Sequence, residues 1–116
     1  MRKIALVLAA VLVLLMPVRA SAAVTDVYGD AVLSIADGKV TFETYYYAND
    51  PSDYIVMDVL LWRNQMCLVD ETITGYFGVS FSDYIVARSG WEYTLEVKVT
   101  VNGTAQPAMY DYAYCP

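Results

Sequence analysis

Residues 91–105 read Trp-Glu-Tyr-Thr-Leu-Glu-Val-Lys-Val-Thr-Val-Asn-Gly-Thr-Ala. Tyr93, Leu95, Val97, Val99 and Val101 alternate with Glu92, Glu96, Lys98 and Thr100. Side chains that alternate in this way fall on opposite faces of a strand, one apolar and one wet. Asn102-Gly103 then supplies two residues that tolerate positive φ, the strongest short hairpin signal. This pattern demands a half-buried antiparallel strand, and it recurs along the chain. Ala31–Ala36, Lys39–Tyr47, Tyr54–Arg63 and Met66–Thr74 read as strands, and a fifth ends near Val86. The alternating Tyr93–Val101 segment and Thr104–Tyr114 complete about seven strands, the last demoted in part to an edge or bulge by Pro107. Asp37-Gly38, Asn49–Asp53, Asn64-Gln65, the irregular Gly75–Gly78 and Arg88-Ser89-Gly90 separate them. No helical period occurs past residue 22. The expected fold is an all-β antiparallel β-sandwich.

The first 22 residues obey a different logic. Arg2 and Lys3 precede an apolar run from Ile4 to Met16, Pro17 interrupts it, and Ala20-Ser21-Ala22 offers small residues at a cleavage spacing. Such a run is too short to span a bilayer, which takes ~20 apolar residues. The pattern is that of a cleaved secretory signal peptide. The expected organisation is a signal peptide over 1–22 and a single β-sandwich domain over 23–116. The expected location is secreted or extracellular, with no membrane insertion after cleavage.

Charge narrows the partners. All 13 acidic residues lie beyond residue 22, against four basic ones there, Lys39, Arg63, Arg88 and Lys98, a net charge of −9. Nucleic acid is excluded as a natural partner, because phosphate backbones call for clustered Lys and Arg. The sequence holds no histidine, which removes the usual general base and the commonest metal ligand. Asp70 and Glu71 are adjacent, so on a strand they point apart and cannot act as a catalytic pair. The chain is read as not an enzyme, with no cofactor and no metal site. Acidic loop residues such as Asp50 and Asp53 could approach calcium, but no Asp-x-Asp-x-Asp-Gly run is present.

Cys67 and Cys115 are the only cysteines. An even count in an exported chain predicts a disulfide between them, with a stabilisation on the order of 4 kcal/mol in the chain-entropy model.

Tyrosine is the outstanding residue type: 11, all beyond residue 22. On the second strand Val40, Phe42 and Thr44 share the parity of Tyr46, which predicts Tyr46 inward. Thr41 and Glu43 share that of Tyr45 and Tyr47, which predicts those two outward. Exposed rings beside Asn49, Asp50 and Asp53 would offer apolar area next to hydrogen-bonding groups, a combination suited to sugars and peptides. These five residues are the candidate binding site. On the last strand Tyr110, Tyr112 and Tyr114 share one face, while Asp111, Ala113 and Cys115 share the other. Asp111 argues that the tyrosine face is the core one; the alternative is an exposed aromatic stripe suited to carbohydrate or protein contacts.

The pentapeptide Ser-Asp-Tyr-Ile-Val occurs at 52–56 and at 82–86. The match stops after each Val and no third copy exists, so a stacked repeat is excluded. Both copies read as polar-led strand openings, in the third and fifth strands of opposite sheets.

Ala87–Val99, "ARSGWEYTLEVKV", resembles the segment that enters the sixth strand of fibronectin type III and related immunoglobulin-like domains. Tyr93, Gly90 and the Leu95-Val97-Val99 alternation match that pattern. Ala87 stands where the pattern has Leu, and Ser89 where it has Pro. The resemblance implies an immunoglobulin-like sandwich with a tyrosine corner, in which the Tyr93 hydroxyl bonds nearby backbone. It implies no activity. The chain is also similar to small exported β-sandwich proteins of Gram-positive bacteria. The functional expectation is a small non-catalytic binding or adhesion module acting on an extracellular glycan or protein. The alternatives are an inhibitor of another secreted protein, or a strand-donating assembly subunit.

Overall fold

A computed structural model describes residues 28–116; the expected signal peptide lies outside them. The described residues form eight strands: β1 (Tyr28–Ala36), β2 (Lys39–Tyr47), β3 (Tyr54–Arg63), β4 (Met66–Tyr76), β5 (Gly78–Val86), β6 (Trp91–Val101), β7 (Thr104–Ala105) and β8 (Met109–Cys115). They make two antiparallel sheets. One has three strands in the order β1-β2-β5; the other has five, with β4-β3-β6 continued by β7 and β8, which both pair with β6. The expected last strand is two, because Pro107 has no N–H to donate and sits in the gap between β7 and β8.

Turn chemistry places the hairpins. Asp37 and Gly38 join β1 to β2 with φ of 54° and 75°; Asn102 and Gly103 join β6 to β7 with 51° and 81°. Two successive positive φ values match the twist of the flanking strands. Asn64, at φ 54°, opens the turn between β3 and β4. The connection between β4 and β5 is shorter than the sequence suggests. Tyr76 ends one strand and Gly78 begins the next, leaving Phe77 alone at φ 69°. Phe77 carries the chain from the five-stranded to the three-stranded sheet. Its N–H donates to the Asp53 carbonyl at 2.9 Å, and its carbonyl accepts the Ala48 N–H at 2.7 Å.

The early start of β5 corrects one expectation. The first Ser-Asp-Tyr-Ile-Val does lead into a strand, β3 at Tyr54, but the second forms the far half of β5. The alternation still treats both alike. Tyr54 and Tyr84 are exposed, while Ile55 and Ile85 face the core.

The core lies between the sheets. Ala31, Leu33, Val40, Phe42, Tyr46 and Val79 bury from one side; Ile55, Met57, Val59, Leu61, Tyr93, Leu95, Val97, Val99 and Val101 bury from the other. Each aliphatic side chain fully removed from water contributes roughly 1.5–3 kcal/mol. Along one flank β8 lies beside β1, and Asp111 closes the seam: its Oδ2 accepts the Leu33 N–H at 2.8 Å, 78 positions away in sequence. This overturns the expected facing of the last strand. Asp111 points inward because it has that backbone partner, and Tyr110, Tyr112 and Tyr114 are exposed by 51%, 63% and 61%.

The expected disulfide is also overturned. Cys67 and Cys115 are both free thiols. Cys67 lies on β4 opposite Trp62, and Cys115 on β8 opposite Trp91. The sheet order puts β3 and β6 between them. Three strand spacings amount to ~14 Å, twice the ~7 Å that a disulfide spans between Cα atoms. Even parity of cysteines carries no information about which strands hold them.

Candidate functional site

On β2 the burial alternates without interruption: Tyr46 is 4% exposed and Tyr47 44%, with Tyr45 half-buried on the same outer face as Tyr47. Tyr46 fills the core, and burial pushes its hydroxyl well above the usual phenol range. The outer pair sits ring against ring, centroids 5.5 Å apart and tilted by 47°. Opposite them on β5 are Ser80, facing Tyr45, and Gly78, facing Tyr47. Gly78 leaves room for the ring: a Cβ would come within 2.5 Å of it as it now sits. The Tyr47 ring therefore rests against bare backbone.

One row further along, Glu43 faces Ser82. Glu43, Tyr45, Tyr47, Ser80 and Ser82 line an open depression of about 390 Å³ on the solvent side of the three-stranded sheet, floored by Thr44 and Phe81. Two aromatic walls, two exposed hydroxyls and one carboxylate make up its chemistry. It has apolar area for a flat ligand face and polar groups to orient it.

The structure separates the five candidate residues. Tyr45 and Tyr47 line the depression; Asn49, Asp50 and Asp53 do not. Asp50 folds its own loop, its Oδ1 accepting from the Ser52 N–H at 2.9 Å and the Ser52 hydroxyl at 2.8 Å. Those bonds hold its carboxyl below the usual range. Asp53 ties the loop to the β6–β7 turn, its Oδ1 accepting from Asn102 Nδ2 at 2.9 Å. Among the described residues no three Cys, Asp or Glu side chains come together as metal ligands. Ser80 and Ser82 were missed, because only the β2–β5 register brings them beside the tyrosines. Glu43 shares the outer parity of Tyr45 and Tyr47, so its face is readable from β2 alone, whereas its place in the depression is not.

Tyr93 is fully buried, and its hydroxyl accepts the Arg88 N–H at 2.9 Å. Gly90, at φ 86°, turns the chain between those two residues and donates its N–H to the Cys115 carbonyl at 2.7 Å. This bracing fixes the start of β6. Asp70 and Glu71 do point apart, but Asp58 does not stand alone. It lies on the outer face of the five-stranded sheet diagonal to Asp70, since Asp58 pairs with Thr72 and Leu60 with Asp70. Desolvation, then hydrogen bonding and charge repulsion from Asp70, push the Asp58 carboxyl up.

A scan against protein-family models finds no match for this chain, and a search of curated proteins finds none either.

Proposed function

We propose that this chain is a small secreted, non-catalytic binding module with an immunoglobulin-like β-sandwich fold, and that the Tyr45–Tyr47 depression is its contact site for an extracellular glycan. The sheet orders β1-β2-β5 and β4-β3-β6-β8, with the Tyr93 hydroxyl bonded to backbone five positions earlier, support the immunoglobulin-like assignment. The short apolar run ahead of Ala20-Ser21-Ala22 supports export. A sequence without histidine supports binding over catalysis.

The single observation that carries the ligand class is the depression itself. Tyrosine rings offer apolar faces to the C–H side of a sugar, and Ser80, Ser82 and Glu43 offer partners for its hydroxyls. Glu43 disfavours acidic sugars, so the ligand is neutral or amino-substituted. Strand donation is less well supported, because the outer edge of β8 already faces β1 across the Asp111–Leu33 bond.

The test is a Tyr45→Ser, Tyr47→Ser double variant beside the parent protein on a panel of neutral, amino and acidic glycans. The expected result is selective retention of neutral or amino sugars by the parent, and its loss in the variant. A parent that retains none of them, or a folded variant that binds equally well, overturns the assignment.

A further inference from the structure

The outer face of the five-stranded sheet, away from the Tyr45–Tyr47 depression, is organised around Glu96. Its Oε1 accepts the Trp62 indole N–H at 3.1 Å and its Oε2 accepts the Tyr110 hydroxyl at 3.3 Å. One carboxylate thus clamps a ring from β3 and a ring from β8. Trp62, Thr94 and Tyr112 form the next row, and Glu92 opposite Tyr114 the row after that. In the other direction Asp58 and Asp70 lie beside Leu60. Among the described residues the face holds Asp58, Asp70, Glu92 and Glu96 against one cation, Lys98. Lys98 on β6 stands opposite Asp58 on β3, yet Asp58 still has its carboxyl pushed up by its surroundings.

We propose that this face is a second docking surface, and that its occupant is an extended basic polypeptide segment with cationic side chains at alternate positions. Three observations lead there. The surplus of carboxylates calls for cations. Exposed tyrosines accept guanidinium or ammonium groups on their ring faces. Tyr110, Tyr112 and Tyr114 also recur every second residue, at ~7 Å intervals, the interval at which an extended peptide presents alternate side chains.

Charge disfavours a second copy of this chain. A second copy would bring the same carboxylates against their like. Nucleic acid and anionic membranes are repelled for the same reason.

The experiment measures binding of a fluorescent (Arg-Ser)6 peptide to the folded protein by anisotropy at low and physiological salt. Arg6Ser6, of equal composition, and (Glu-Ser)6 are the comparison probes. Expected is saturable binding of (Arg-Ser)6, stronger than Arg6Ser6, weakened by salt, with none of (Glu-Ser)6. Tyr112→Ser and Asp58→Asn/Asp70→Asn should each lower affinity on the order of tenfold, as for contacts central to an interface. Asp37→Asn/Asp83→Asn, an equal charge change on the other sheet and outside the Tyr45–Tyr47 depression, should leave it unchanged. The proposal is overturned if the parent protein fails to bind (Arg-Ser)6 at low salt. It is overturned equally if the Asp37/Asp83 variant weakens binding as much as the Asp58/Asp70 variant, or if folded Tyr112→Ser binds as the parent does.

Discussion

Replacing Tyr93 by Phe removes one oxygen from the largest fully buried side chain among the described residues and leaves its ring in place. The residue is 0% exposed and its hydroxyl accepts the Arg88 N–H at 2.9 Å. A net intramolecular hydrogen bond is worth ~0.5–1.5 kcal/mol, and a donor left without a partner adds a further penalty where water cannot reach it. Arg88 is exposed as a residue, so water relieves part of that penalty. The expected loss is about 1–1.5 kcal/mol. For a domain of 60–100 residues each kcal/mol lowers the melting midpoint by roughly 4–8 °C. A fall of about 5–10 °C should therefore appear in a thermal melt followed by circular dichroism. Tyr114→Phe is the control, since that ring is 61% exposed, and it should shift the midpoint by less than about 2 °C. Tyr93→Ala separates hydroxyl from ring, because it also empties the core and should cost about 3–5 kcal/mol. Equal midpoints for Tyr93→Phe and Tyr114→Phe would refute the claim that the hydroxyl braces the β5–β6 corner.

Other outcomes follow from the same geometry. Asp111→Ala leaves the Leu33 N–H without its partner and unseals β1 from β8; a loss of about 1–3 kcal/mol in urea denaturation is expected, together with a greater tendency to aggregate. Under native conditions both cysteines should react with a thiol reagent, Cys67 faster because it is exposed and Cys115 slower; a linked Cys67–Cys115 peptide in a non-reducing map would contradict the strand order. Asp58 has a raised folded-state pKa, so its charged form opposes folding above the carboxylate range and the opposition fades as pH falls through it. Asp58→Asn should therefore stabilise at neutral pH, with the gain gone in acid, as read from denaturation midpoints across pH. Gly78→Ala displaces the Tyr47 ring, which is free to swing toward solvent; glycan retention should fall while the melting midpoint changes little.

How legible all this was in the sequence differs from strand to strand. β2, β3 and β6 each have one clean apolar face, and their alternation fixed which residues are buried. Tyr46 inward with Tyr47 outward is the direct product of that period. β8 failed because its two faces are Tyr-Tyr-Tyr and Asp-Ala-Cys. On hydrophobicity the tyrosines should win the core, but Asp111 has a backbone N–H on β1 to satisfy it, a partner that exists only after two distant edges meet. Cys67 and Cys115 failed for a related reason, since their separation depends on sheet order. In the candidate site the tyrosines were readable from one strand, whereas Ser80, Ser82 and Gly78 needed the register between two. Asp50 and Asp53 were drawn into the site by composition, yet their oxygens are spent inside the loop and its neighbouring turn.

The single-residue corner at Phe77 has a consequence for how the chain assembles and how it tolerates change. With no slack between β4 and β5, a one-residue slip of β4 against β3 would reverse the facing of β5 as well, exposing Val79, Phe81 and Ile85 together. The Asn64-Gln65 turn and the register shift between Leu61 and Trp62 together thereby set the phase of a strand in the opposite sheet. The same tightness sorts the sites of insertion. The Asn49–Ser52 loop has room for added residues, whereas one added beside Phe77 would shift the alternation of either β4 or β5 and turn a core strand inside out. Phe77 itself holds a left-handed conformation, φ 69°, that costs a non-glycine residue roughly 1–2 kcal/mol, a strain tolerated at the shortest of the three connections between the sheets.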